Sequence, residues 1–385
     1  MNAIVAHGGG PTSVINASLA GLLAEARVCE IFSKVYGARF GIRGILDESF
    51  TELLTQDQRL IDAIGNSPGS ALGSSRFKLS DEDHGRVLEI FKKHDIRCIF
   101  YTGGNGSMGT ALRISRDARS LGYDLQVIGI PKTIDNDLSV TDHTPGYPST
   151  AHFFAVAARE IGEDNRSLPP PITVLEVLGR NAGWVTAATA LGRTREDDGP
   201  HLIYLPERPV SLDNIAADVE GVYRRLGRVL IAVCEGQLDK TGAPFGADVD
   251  RAESQTHRLA SNLGHTVARL ISAKLNLRAR AEKPGLFGRC CGPLTSELDR
   301  REAHECGRAA IRAAVEGQAG VMIAIRRHSN APYQASTFLT PLETVACKER
   351  LFPSEWINEA GNDVTNDFLA YARPLIPQLK GYSHL

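Results

Sequence analysis

Leu125-Gln-Val-Ile-Gly-Ile-Pro-Lys-Thr-Ile-Asp-Asn-Asp137 decides how the chain is read. Its first four residues are a short apolar run of the kind that forms a buried strand in a parallel sheet. The run then meets Pro131 and delivers Asp135 and Asp137. Alternate residues of an extended segment point the same way, so both carboxylates can face one site. In open α/β sheets, ligands bind at the carboxyl end of the strands. One carboxylate can accept a proton from a hydroxyl, the other can help hold a metal ion, and Lys132 stands ready to meet an anion. The plainer reading is a polar loop with solvated acids.

Upstream, the same arrangement of strand, glycine turn and helix recurs. Ala3-Ile-Val-Ala6 reads as a buried strand, His7-Gly-Gly-Gly-Pro-Thr-Ser13 as the turn that leaves it, and Val14 to Ala24 as a helix. Such a turn offers backbone N–H groups and a positive helix end to a phosphate. It is not a Walker A loop, since no Gly-Lys-Ser/Thr follows, and it lacks the spacing of a dinucleotide fingerprint. Val35-Tyr-Gly-Ala38 is a second strand, with a glycine turn through Gly41 and Gly44. Ser70-Ala-Leu-Gly-Ser-Ser-Arg-Phe77 is a small-residue loop ending in a cation that can grip phosphate bidentately. Helix 81–93 leads to strand Cys98-Ile-Phe-Tyr101 and to Thr102-Gly-Gly-Asn-Gly-Ser-Met-Gly-Thr-Ala111, where a third glycine turn opens a helix with Ser107 near its start. Three such turns favour one phosphate-rich cleft over three accidents of packing.

Downstream, Thr150 to Gly162 reads as a helix, and Asp164-Asn-Arg-Ser-Leu-Pro-Pro-Pro171 as the boundary of a second domain. Strand Ile172–Val177 ends in Leu178-Gly-Arg-Asn-Ala-Gly-Trp184, and strand Val229–Val233 delivers Glu235-Gly-Gln237, a carboxylate suited to sugar hydroxyls. His201–Leu205 is another strand. Helices are expected at 254–275 and 299–316, with Val321–Ile325 as the last clear strand. The tail, with amphipathic Asn362 to Ala372, is expected to pack back on the first domain.

The totals agree with such a chain. Its 385 residues, 42% hydrophobic with 37 glycines and few aromatics, suit a large two-domain α/β protein. A formal charge of −2 leaves no basic footprint for nucleic acid. Seven scattered cysteines without metal spacing read as reduced thiols. No signal-peptide pattern and no apolar run of ~20 residues is present, so a cytoplasmic protein without membrane partners is expected.

With these residues in hand, the chain resembles the phosphofructokinase family. The matching stretches are Gly103-Gly-Asn-Gly-Ser107, Pro131 to Asp137, Thr144-Pro-Gly-Tyr147, Glu176 to Trp184, Glu235-Gly236, Glu302-Ala303, Gly307 and Phe368 to Leu375. Gly9-Gly-Pro11 and Asn181-Ala-Gly-Trp184 are closest to the branch that contains pyrophosphate-dependent members. The resemblance implies two similar Rossmann-like three-layer α/β domains with parallel sheets and the site in the cleft between them. The first would span 1–163, with the tail from about 334 packed back on it, and the second 164–333. It implies Asp135 as the base, Thr133 steadying the transferring group, Arg180 neutralising transition-state charge, and Asp137 and Asn105 around Mg²⁺. Gly9, Gly10, Arg76, Phe77, Gly104, Gly106, Ser107 and Lys132 would line the donor side. Leu178, Gly179, Glu235, Arg280, Lys283 and Arg289 would hold a sugar or sugar phosphate. Phosphoryl transfer needs little more than in-line positioning and charge stabilisation. A homodimer or homotetramer is implied if Arg280 serves a neighbouring subunit.

Two departures bear on the substrates. Pyrophosphate enzymes of the family typically carry Asp where this chain has Gly106, which leaves room for a nucleotide. They typically carry Lys at 132, as here. If the lysine can swing aside, the open space at Gly106 decides, and ATP is the expected donor, with pyrophosphate the alternative. On the acceptor side, Pro171 stands where a phosphate-binding cation is usual and Leu286 where a His is frequent. Each lost charge-assisted contact weakens dianion binding by ~1.5–3 kcal/mol, with Lys283 close enough in sequence to compensate, so an acceptor other than fructose 6-phosphate, or one held differently, is expected. The rivals are a catalytically silent sugar-sensing subunit, which would have no use for a placed base, and NAD or lipid kinases, which lack the stretch at 131–137.

Overall fold

The computed structural model describes residues 1–168, 172–245 and 262–384. Pro171 and residues 254–261 of the expected 254–275 helix lie outside them. In chain order the strands are β1 (Asn2–His7), β2 (Lys34–Ala38), β3 (Phe50–Glu52), β4 (Ile96–Gly103), β5 (Gln126–Pro131), β6 (Ile172–Val177), β7 (Leu202–Tyr204), β8 (Val229–Cys234), β9 (Ala279–Glu282), β10 (Val321–Asn330) and β11 (Tyr333–Pro341). They build two sheets in two units. The first unit comprises Met1–Ser149 and Arg289–Arg350, the second Thr150–Gly288 and Leu351–Leu385.

The sheet of the first unit has the order β11-β10-β5-β4-β1-β2-β3. From β2 to β10 it is parallel, and β3 and β11 close its edges antiparallel. Successive side chains of the central strands enter different cores. Ala3 and Val5 face one with Phe100 and Ile128, while Ile4 and Ala6 face the other with Ile99 and Val127. Both faces are therefore covered, which is why these strands read as continuous apolar runs. The chain leaves β1 toward β2 and leaves the adjacent β4 toward β5. That reversal opens a crevice at the carboxyl ends of β1 and β4, where the first and third glycine turns sit.

The second unit has a four-stranded all-parallel sheet, β7-β8-β6-β9, over a core that includes Val174, Ile203's neighbours Leu202 and Tyr204, Ile231 and Val267. Adjacent strands β6 and β8 bring Leu178–Arg180 and Glu235 to the same edge.

Several expectations change here. The division falls after Ser149, within the helix Tyr147–Ser167, instead of near 163. Val321–Ile325 is not the last strand, because β11 pairs with β10 in a hairpin. The tail divides: residues to Arg350 stay with the first unit, and the helix Asn366–Ala372 belongs to the second. Among the described residues no helix is long and apolar enough to cross a membrane.

Helix Ile15–Cys29 is buried along most of its length against helix Glu297–Val315. Their backbones meet at two glycines. A Cβ on Gly21 would lie 1.9 Å from the His304 carbonyl oxygen, and one on Gly307 2.0 Å from that of Ser18. Gly85, exposed on the outer face of helix Asp81–Lys93, has nothing within 4 Å of its Cβ position. Gly21→Ala is expected to destabilise the protein by about 1–3 kcal/mol through overpacking. Gly85→Ala is expected to stabilise it by about 1 kcal/mol through helix propensity. Denaturant midpoints check both signs.

Candidate active site

The turn after β1 is held by backbone bonds on both sides. Gly8 N–H donates to the Thr102 carbonyl at 2.8 Å and Gly9 N–H to that of Ser75 at 2.9 Å. Gly9 has φ +80°, a left-handed conformation that favours glycine. Beneath it lies Lys132, 3% exposed, whose Nζ donates to the carbonyls of Gly8 and Gly10 at 2.7 Å each. A Cβ on Gly9 would stand 3.2 Å from that ammonium. Burial pulls Lys132 down to about 8, against the raising effect of Asp135 and Asp137, with Arg76 and Arg289 lowering it further. The lysine thus braces the turn from below.

Above the turn is a cavity of about 400 Å³ lined by Gly9, Gly10, Ser74, Ser75, Arg76 and Arg289, among others. The Cβ position of Gly10 lies 3.6 Å from Arg76 Nη2 and 3.7 Å from Arg289 Nη1. Arg289, expected among the acceptor cations, sits here in the first unit beside Arg76. Phe77 is exposed, with the Arg43 guanidinium over its ring at 5.5 Å.

Helix Asn105–Ser120 starts at the turn after β4, with Gly104 in extended conformation ahead of it. Ser107 is buried so close to β4 that a Cβ on Gly103 would overlap its side chain. Gly106 has nothing within 4 Å of its Cβ position. Asn105 Nδ2 donates to the carboxylate and the carbonyl of Asp137, both at 3.1 Å. That leaves Asn105 Oδ1 and Asp137 Oδ1, both buried, without hydrogen-bond partners. Thr133 Oγ1 accepts the Asp135 N–H at 3.1 Å. Between the two acids Asn136 is fully buried in the left-handed region, φ +54°.

In the second unit, Glu235 Oε1 accepts from the N–H groups of Gly179 and Arg180, at 3.4 Å each. Arg180 adopts φ +48°, and a Cβ on Gly236 would lie 1.6 Å from its carbonyl oxygen. A non-glycine residue held in that conformation is the kind of local strain that collects at functional sites. Leu178 is buried beneath this turn. Lys283 forms an ion pair with Glu176 at 2.8 Å, and that carboxylate, 2% exposed, also accepts the Gly264 N–H at 2.8 Å. Arg280 pairs with the partly exposed Asp164 and reaches Thr173 at 3.4 Å.

Sequence reasoning missed three residues of these turns: Asn136, which makes the turn between the acids; Glu176, which pairs with Lys283; and Arg350, whose Nη2 donates to the Asn136 carbonyl at 3.0 Å. A polar residue flanked by two acids was the available signal for the first. Glu176 opens a stretch that matches the family, but no local pattern gives it Lys283 as a partner, and none marks Arg350.

Comparison with known proteins follows the same lines as the geometry. A profile of the phosphofructokinase family matches residues 2–314. The pyrophosphate–fructose 6-phosphate 1-phosphotransferase of Rhodospirillum rubrum is 41% identical over 380 residues, which cover 97% of this chain and 93% of that one. The sulfofructose kinase of Alkalicoccus urumqiensis is 32% identical over 362 residues, covering 93% and 92%. Among solved structures, the pyrophosphate-dependent phosphofructokinase of Marinobacter aquaeolei superimposes with a TM-score of 0.88 at 32% identity, covering 97% of this chain and 91% of that one. Glycine turns at the carboxyl ends of β1 and β4, two acids after β5 and a family match across most of the chain have one joint meaning: this chain belongs to the phosphofructokinase family, enzymes that transfer a phosphoryl group to an alcohol group of a carbohydrate.

Proposed function

We propose that this enzyme takes its phosphoryl group from pyrophosphate and passes it to a hydroxyl of fructose 6-phosphate. The observation that carries the donor is Lys132. The expectation of ATP required a lysine that can swing aside. Lys132 is instead buried and bonded to two carbonyls, and releasing it would cost two charge-assisted hydrogen bonds, ~1.5–3 kcal/mol each. The relatives named for pyrophosphate support the same donor, and the ATP expectation gains no support from them.

In this reading the attacking sugar oxygen gives its proton to Asp135 as its bond to phosphorus forms. The bond from phosphorus to the leaving phosphate breaks, and inorganic phosphate departs. Thr133 steadies the group in flight. Lys132, Arg76 and Arg289 place positive charge around the donor turn, Arg180 offsets charge in the transition state, and Glu235 receives sugar hydroxyls. The orphaned oxygens of Asn105 and Asp137 fit Mg²⁺, which favours oxygen ligands and takes one or two carboxylates together with substrate phosphates. When bound, the ion would neutralise phosphate charge. Among the described residues no cluster of three metal-ligating side chains is present, in keeping with an ion that relies on its substrate. A homodimer or homotetramer belongs to this proposal.

A second reading concerns the acceptor and rests on Lys283. Its pairing with buried Glu176 removes the cation that would compensate for Pro171 and Leu286. The remaining cation, Arg280, has Asp164 beside it. So thin a positive charge suits a monoanion better than a phosphate dianion, and the relative named as a sulfofructose kinase supplies a concrete candidate.

Three measurements bear on these readings. In a Mg²⁺-dependent assay with fructose 6-phosphate, turnover is expected with pyrophosphate and not with ATP, and Lys132→Ala should cost about 10²–10³-fold in kcat/KM for pyrophosphate. ATP turnover by the wild type would sink the donor assignment. A lysine lowered to about 8 is charged below that value and neutral above it. Therefore kcat/KM for pyrophosphate should be level below pH 8 and fall about tenfold per unit above it, a limb that Lys132→Ala removes. Finally, the 6-phosphate and 6-sulfonate of fructose are compared as acceptors. A higher kcat/KM for the phosphate retires the second reading.

A further inference from the structure

The two acids at the end of β5 are separated by a turn that no strand or helix supplies. Asn136 makes it, in a left-handed conformation that asparagine tolerates better than most residues. Its side chain accepts the Thr144 N–H at 3.0 Å, and Thr144 Oγ1 donates to the Thr133 carbonyl at 2.9 Å. These bonds close the loop from inside and leave its carbonyls to be met from outside.

Arg350 meets them. Its Nε and Nη2 donate to the Asn136 carbonyl at 3.2 and 3.0 Å, and its Nη1 to the carbonyls of Thr141 and Asp142 at 2.7 and 2.5 Å. Its own backbone N–H donates to the Asp137 carbonyl at 2.8 Å. One residue therefore holds the carbonyls of 136, 137, 141 and 142. The neighbouring chain is laid alongside, with Leu138 bridged to Glu349 and Ser139 Oγ donating to the Lys348 carbonyl at 2.9 Å. The far end of the loop is fixed by charge. Asp142 takes Arg327 at 2.8 Å and His143 Nδ1 at 2.8 Å, and His143 Nε2 reaches Glu302 at 2.6 Å.

We propose that Arg350 is a positioning residue for phosphoryl transfer: by gripping the carbonyls around Asn136 it fixes the turn that sets the directions of Asp135 and Asp137. This rests on the reading in which those two acids do the chemistry. A planar guanidinium spreads several donors over three carbonyls at once, and a lysine, with a single nitrogen, cannot. Misplacement of a reacting group by 1 Å costs about a hundredfold in rate, so a loosened turn is felt in the chemical step before it is felt in binding.

The test compares wild type, Arg350→Lys, Arg350→Ala and Asp135→Asn in the full-length protein. Both Arg350 variants are expected to lose about a hundredfold in kcat, with KM for donor and acceptor within about twofold and a melting midpoint close to that of wild type. Low-millimolar guanidinium, which can enter the space vacated in Arg350→Ala, should restore part of the lost kcat. A fully active Arg350→Lys overturns the proposal. So does a loss carried by KM, or a loss that tracks the unfolded fraction and is not rescued by guanidinium. Full activity of Asp135→Asn would instead overturn the assignment of the chemistry, so the two failures are told apart.

Discussion

The ammonium of Lys132 joins the end of β5 to the turn after β1, two strands that are not neighbours in the sheet. Its two bonds to Gly8 and Gly10 make a glycine loop, which has little stiffness of its own, into a defined floor. The same buried charge contributes positive potential at that turn. The cost of desolvating it is visible in its lowered proton affinity. It is tolerated because two carbonyls and the two acids of 135 and 137 compensate it. Shape and charge at this turn thus have one source, and neither could be altered alone.

The cations that a linear reading grouped together have different partners. Arg289 joins Arg76 at Gly10, whereas Lys283 is spent on Glu176, nine-tenths and more buried. A buried carboxylate deprived of its partner is costly, so Lys283 is not available to a ligand in the way that an exposed lysine would be. Counting positive residues along the sequence therefore overstates the charge offered to an acceptor.

How much was legible follows from the range of the interactions concerned. The central strands of the first unit, β6 and β8 of the second, and the glycine turns were readable because period, apolar runs and turn residues are local properties. The extended alternation expected to align Asp135 with Asp137 is replaced by a left-handed turn at Asn136. What failed was non-local. β9 carries one arginine and one glutamate in four residues, Ala-Arg-Ala-Glu, and has no apolar strand signal of its own until it pairs with β6. β11 alternates exposed and half-buried positions at a sheet edge, so its apolar signal is weak. The basis of the ATP expectation was non-local too, since the freedom of a lysine depends on which carbonyls come near it and no spacing reveals them.

The order of the strands has a consequence for synthesis. β10 is laid against β5 in register Val321 with Ile128, some 190 residues later in the chain. Helix Glu297–Val315, which covers helix Ile15–Cys29, is equally late. A nascent chain that has already made β1 to β5 must wait for the whole of β6 to β9 to leave the ribosome before that edge and that helix face are covered. Through this interval it presents an unpaired strand edge beside an apolar surface, the combination most prone to wrong association. The hazard in this molecule is thus one of timing, greatest when translation stalls within the second unit and absent once residue 341 has emerged and the β10–β11 hairpin is in place.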